Sequence, residues 1–166
     1  MRDSARVMSD RQFEIRSAEQ RDGDEILAMM PRLAEFELPA WRNPEHLWKD
    51  DAKMLQRWLE NNEECIVHVA VNEVQKVLGF SMFRLRPELL SKAPSAHLEA
   101  IAVSKDAEGT GVGKALLATA EARARELGAQ TMTLHVFAVN QRARAVYERA
   151  GYDGELMRYI KQLDAQ

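Results

Sequence analysis

The segment Glu108-Gly109-Thr110-Gly111-Val112-Gly113-Lys114 carries the clearest chemical signal in the chain. Three glycines at alternate positions let successive backbone N–H groups converge on one anion, and a helix starting there adds the partial positive charge of its N-terminus. The same glycines would also serve a tight turn that needs them only for backbone shape. Spacing narrows the ligand. A dinucleotide fingerprint places glycine first, third and sixth, but Lys114 stands sixth. A Walker-type loop has glycine, four residues, then Gly-Lys-Ser/Thr; here Glu108 replaces the first glycine and Ala115 the hydroxyl residue. NAD and ATP are both disfavoured. Cys65 and His68 have the composition of a nucleophile and base, but three residues apart on a strand they fall on opposite faces. His46 has no second ligand at metal spacing, and His135 alternates away from Met132, Leu134 and Val136 as on a polar strand face, so no metal site is expected.

The elements that must hold the glycine turn follow from periodicity and breakers. Phe13 to Arg16 alternates like a short strand, and Ile26, Met29, Met30 and Leu33 recur at helical spacing across Pro31, which predicts a two-part helix. Asn43 is a candidate cap with Pro44 at the first helical position, and Leu47, Trp48, Ala52, Leu55 and Trp58 give that helix an apolar face up to about Asn61. Cys65 to Val71 and Val77 to Leu85 read as an antiparallel hairpin about the turn Asn72-Glu73. A strand from His97 to Val103 leads into the glycine turn, then a helix over Lys114 to Leu127 stopped by Gly128. Thr131 to Val136 is the next strand, Asn140 caps a helix ending at Gly151, and Leu156 to Leu163 is predicted as a final strand. The order β-α-α-β-β-β-α-β-α-β is mixed α/β with a partly antiparallel central sheet flanked by helices. Its one strand-helix-strand unit contains the glycine turn.

With 166 residues, 46% hydrophobic and 30% charged, the chain suits one globular domain over 13–166 after a mobile tail at 1–12. The net charge of −3 gives no overall pull towards nucleic acid or an anionic membrane, so no partner of either kind is expected. A single cysteine and no stretch of membrane-spanning length make a cytoplasmic location the default expectation.

Two strings together resemble the GNAT superfamily of N-acetyltransferases. Ile101-Ala102-Val103 followed by Glu108-x-x-Gly111-Val112-Gly113 is similar to the family's acetyl-CoA loop, an aliphatic-x-Val strand end and then Arg/Gln-x-x-Gly-x-Gly/Ala. Asn140-x-x-Ala143-x-x-x-Tyr147-x-x-x-Gly151-Tyr152 fits the second family string throughout. The departure is Glu108, which stands where the family usually has Arg or Gln; a carboxylate beside a pyrophosphate is unfavourable unless it points away.

The resemblance implies an N-acetyltransferase that moves the acetyl group of acetyl-CoA directly to a primary amine in a ternary complex, with no metal. It implies cofactor contacts from Ile101, Ala102, Val103, Gly109, Thr110, Gly111, Val112, Gly113, Lys114 and Asn140, with the amides of Ile101 and Val103 holding the pantetheine arm and thioester oxygen. Asn140 and Tyr147 are seven residues apart, about 20° short of two helical turns, so one face can offer both to an extended cofactor. Tyr147 is then the acid for the departing sulfur, or else a core residue beside Ala143 and Ala150. Strand alternation puts His97, Glu99, Ile101 and Val103 on one face, which makes Glu99 the candidate base, with His97 as the other option.

From Asp22 to Glu64 there are eleven acidic and five basic residues, a balance that suits a cation; the resemblance, which implies an acceptor wall formed by the first two helices and their connection, makes Glu35, Glu37 and Trp41 the candidates to contact an amine-bearing acceptor. A solvated acidic surface explains the same balance, and core packing the tryptophans. A non-catalytic CoA-binding regulatory module and a transferase using another acyl-CoA are the alternatives. Pairing through sheet edges or last strands, frequent in the family, makes a homodimer a further expectation.

Overall fold

The β-branched run Ile66-Val67-His68-Val69-Ala70-Val71 forms β2 (Ile66–Val71), whose residues are buried on both sheet faces from Val67 onward. The computed structural model describes residues 12–163; apart from Gln12, the expected tail lies outside the described residues. β2 pairs antiparallel with β1 (Glu14–Ser17) and with β3 (Val77–Pro87). The hairpin turn is closed by Asn72, whose side chain accepts from the amides of Val74 (3.1 Å) and Lys76 (2.9 Å). β3 pairs antiparallel with β4 (Pro94–Val103), and β4 pairs parallel with β5 (Thr131–Leu134). The sheet order is therefore the chain order, β1-β2-β3-β4-β5.

Helices cover both faces. On one, α1 (Gly23–Met29) and α2 (Lys49–Leu59) contribute Ile26, Met29, Met54 and Leu55 to a core with Val67, Val69, Phe80, Met82, Ala100 and Ala102. On the other, α3 (Val112–Glu126) sets Val112 and Leu116 against Ala70, Ile101 and Val103. Pro31 splits the first helix as expected: α1 stops at Met29 and a 3-10 turn runs over Met30–Ala34, because proline has no amide to continue the ladder. Asn43 does cap, accepting from the Glu45 amide at 3.0 Å, but it caps a separate 3-10 turn, Pro44–Leu47, ahead of α2.

The chain divides into two compact units, one up to His135 and one from Val136. The second holds α4 (Gln141–Arg149), begun by Asn140, whose Oδ1 accepts from the Ala143 amide at 3.2 Å. The final strand expected over Leu156 to Leu163 does not form. Residues 152–163 carry neither helix nor strand, and Leu156, Met157, Tyr159, Ile160 and Leu163 are exposed. A strand exists only through a backbone partner, and apolar residues at 156, 157, 159, 160 and 163 do not keep the period of two that would give this segment one buried face.

A second correction concerns β4. Met82 lies opposite Ala100 but Phe83 lies opposite Leu98, so Glu99 is a bulge residue and the alternation slips by one. Before the bulge His97 sits opposite Arg84 on the α1–α2 face; after it Ala100 and Ala102 take that face and Ile101 and Val103 turn to α3. His97 and Glu99 therefore do not share a face with Ile101 and Val103.

Candidate active site

β4 ends where the glycine turn begins. The Ser104 amide donates to the Leu78 carbonyl at 2.8 Å, a 3-10 turn follows over Lys105–Ala107, and the Thr110 hydroxyl donates back to the Ala107 carbonyl at 2.5 Å. Gly109 and Gly111 then adopt φ of 74° and 87°, the left-handed region where a side chain is strained. This reversal lets α3 start at Val112 with its first-turn amides unclaimed by the helix, the arrangement that receives an anion. At Gly113 a Cβ would come within 3.3 Å of Val103 Cγ2, so the start of α3 lies close against the end of β4. A cavity of about 370 Å³ opens beside the turn, lined by Gln12, Phe13, Thr110, Gly111, Lys114, Ala115 and Ala118. Glycines, free helix amides and one lysine are a donor set that fits a phosphate.

The second part of the site is a gap in the sheet. β4 pairs with β5 only from Ser95 to Leu98, while its pairing with β3 continues to Val103. Among the described residues, the β4 edge from Glu99 to Val103 has no strand on the β5 side. That edge offers backbone donors and acceptors to an extended ligand. At its far end the Val103 carbonyl accepts from Arg32 Nε at 3.0 Å, and the same guanidinium pairs with Glu35 and with Glu108.

Polar side chains gather on the α1–α2 face beside the bulge. Arg84 Nε donates to Glu99 at 3.0 Å, Arg86 approaches the same carboxylate at 3.6 Å, and Glu63 lies 3.4 Å from Arg84. His97, buried, has its Nδ1 2.7 Å from the Thr133 hydroxyl and its ring edge-on to His135 at 4.8 Å between centroids. Burial, opposed by the Glu99 charge, lowers the His97 pKa to about 4, so this imidazole is neutral at pH 7 and a weak base there. Asp51 of α2 feels the same cluster: burial first, then the charges of Glu99 and Asp50, raise its pKa to about 7.

The two strongest sequence candidates in the second unit are placed by α4. Asn140 caps the helix through its side-chain oxygen, and Tyr147 is half-buried with its ring edge-on to Tyr152 at 5.9 Å. Burial raises the Tyr147 phenol above its ordinary value, so it keeps its proton at neutral pH, the state required of a proton donor.

The acceptor candidates are less of a group. Glu35 is exposed and engaged with Arg32, Glu37 is exposed, and the Trp41 ring is covered by the Arg42 guanidinium 4.1 Å from its centroid. Cys65 is buried with its thiol pushed up to about 12, chiefly by desolvation, and is no nucleophile at neutral pH. Among the described residues no three His, Cys, Asp or Glu side chains form a metal-binding group, and no helix is long and apolar enough to cross a membrane.

Sequence reading missed Arg32, Asp51 and Arg84. Arg84 was within reach, because hairpin pairing of β3 with β4 places it opposite His97. Arg32 and Asp51 gave no signal: they meet their partners across 71 and more residues, or from another helix altogether.

Comparison with known proteins bears on this geometry. Residues 30–152 match the model of the acetyltransferase (GNAT) family. A mycothiol acetyltransferase of Propionibacterium freudenreichii subsp. shermanii is 33% identical over 100 residues, 60% of this chain and 30% of that protein. A solved structure from Pyrococcus furiosus assigned as an acetyl transferase superposes with a TM-score of 0.73 at 26% identity, covering 91% of this chain and 99% of that one. A ribosomal-protein-alanine N-acetyltransferase structure from Brucella melitensis biovar Abortus 2308 has a TM-score of 0.66 at 20% identity, covering 91% and 99%, a likeness of fold. The chain spans 26 to 62% of the length of the curated relatives it matches.

Proposed function

Since the chain belongs to the acetyltransferase (GNAT) family, we propose that it transfers the acetyl group of acetyl-CoA directly to a primary amine, with residues 13–166 as one catalytic domain. The observation that carries this reading is that β5 ends opposite Leu98 while β4 runs on to Val103, beside the start of α3. A strand edge next to a helix N-terminus offers one extended ligand a backbone ladder and an anion site together.

The roles follow from that arrangement and the family strings. Amides of Gly111, Val112 and Gly113 receive the diphosphate, with Gly109 and Thr110 shaping the turn and Lys114 adding charge on its rim. The backbone of Ile101, Ala102 and Val103 holds the pantetheine arm and polarises the thioester carbonyl, so these contacts are blind to side-chain substitution. Glu99, fixed by Arg84 and Arg86, takes the amine proton directly or through water, and His97 is the second acceptor on the same face. Tyr147 gives its proton to the departing sulfur, and Asn140 contacts the cofactor from the head of α4.

The acceptor is an amine-bearing small molecule or peptide. The acidic excess between Asp22 and Glu64, with Glu35, Glu37 and Trp41 on its exposed part, supports a cationic one. Arg32 pairs with Glu108, which offsets the unfavourable carboxylate at the phosphate turn and supports cofactor binding there. The test is mass spectrometry of the protein incubated with acetyl-CoA, with and without a pool of primary amines. Acetylated product that depends on the pool is expected and names the acceptor class; acetyl-CoA binding without product favours a regulatory module, and absence of binding overturns the reading.

A further inference from the structure

Glu108 is a charge problem that the glycine turn does not solve by itself. It precedes Gly109 and Gly111, and a carboxylate at that point repels a diphosphate held on the α3 amides. Arg32 lies 76 residues earlier, in the 3-10 turn Met30–Ala34, and its guanidinium reaches this point with its donors divided among three groups. Nη2 pairs with Glu108, Nη1 pairs with Glu35, and Nε donates to the carbonyl of Val103, the last residue of β4, at 3.0 Å. The fork is mostly buried, at 18% side-chain exposure, so its charge is poorly screened.

We propose that Arg32 is a positioning residue for acetyl-CoA: it offsets the charge of Glu108 at the phosphate turn and ties the end of β4 to that turn. A cation that position 108 does not carry is thus supplied from a different element. This inference rests on acetyl-CoA being the ligand of the turn. A guanidinium that only braced the fold would give the same contacts, and the two roles separate in how cofactor affinity responds to charge.

The test is calorimetry of acetyl-CoA against the full chain for wild type, Arg32→Ala, Glu108→Gln and the double variant, at low and high salt (about 0.05 and 0.3 M). Arg32→Ala raises the Kd about tenfold at low salt, and the ratio to wild type shrinks at high salt as the exposed Glu108 charge is screened. Glu108→Gln alone binds as tightly as wild type or tighter. In the double variant the repulsion is gone, and the Kd returns to within about threefold of wild type. An unchanged Kd in Arg32→Ala, or a salt-independent loss that Glu108→Gln does not relieve, overturns the proposal while leaving the proposed function standing. Wild type that does not bind acetyl-CoA overturns both. If circular dichroism finds Arg32→Ala unfolded, Arg32→Lys takes its place: the retained charge keeps Kd within about threefold of wild type, and a tenfold loss there overturns charge compensation.

Discussion

The glycine turn and the polar cluster beside the β4 bulge are built from opposite materials. The turn works through backbone: left-handed glycines at 109 and 111, free amides at the head of α3, and side chains that mostly stay out of the way. The cluster works through side chains from β3, β4, β5 and α2, gathered round Glu99 and His97, and its chemistry is set by mutual charge and burial. A backbone site is damaged by steric or charge intrusion and is otherwise tolerant. A side-chain site is sensitive to titration, so its variants should change pH profiles before they change affinity.

The largest expected effect is at the turn. Gly111→Glu forces a side chain into φ near 87° and puts a carboxylate where the diphosphate would sit, so calorimetry should find acetyl-CoA affinity reduced about 100-fold or more. Undiminished binding would move the phosphate site elsewhere and dissolve the contrast. Next, Tyr147→Phe should lower kcat about 100-fold with acetyl-CoA affinity nearly intact, because only the transferable proton is lost. Equal turnover in the two proteins would return Tyr147 to a packing role beside Tyr152.

Within the polar cluster, Glu99→Gln should cost about tenfold in kcat/KM, whereas His97→Gln should stay within about threefold of wild type. The reverse pattern would exchange the two assignments.

The smallest effect is on stability. Asp51, raised to about 7 from 3.8, keeps a proton in the folded chain that the unfolded chain has lost, so its contribution to stability grows as pH falls from 7 towards 4. His97 acts oppositely: with its pKa lowered from 6.5 to about 4, the unfolded chain binds a proton that the folded chain refuses, and stability falls over that window. His68, lowered by burial, adds to that loss. Asp51→Asn removes the opposing slope, so its Tm should drop more steeply than that of wild type between pH 7 and pH 4. Parallel curves would mean that Asp51 is not held protonated by this cluster.

The same division runs through what could be read from the sequence. Pro31, Asn43, Asn72 and Asn140 mark their turns and caps locally, and the structure uses each as a breaker or cap. The glycine turn was legible because glycine spacing encodes backbone shape directly. The strand expected at Leu156 to Leu163 was not a local matter, since only a partner strand makes one. The shared face of Glu99, Ile101 and Val103 failed for a related reason. Strict alternation assumes an unbroken ladder, and the extra residue at Glu99 is visible only in the pairing of β4 with β3.

The sequence by itself determined the order of the first five strands and four helices, the place of the anion turn and the family, because propensity, capping and glycine spacing act over a few residues. The tertiary structure alone decided which charges meet. Arg32 reaches Val103 and Glu108 across more than seventy residues, Arg84 and Arg86 grip Glu99 across the sheet, and Asp51 comes under its charge from α2. Coulomb interactions and desolvation depend on distance in space and on burial, and neither quantity is written in local residue order.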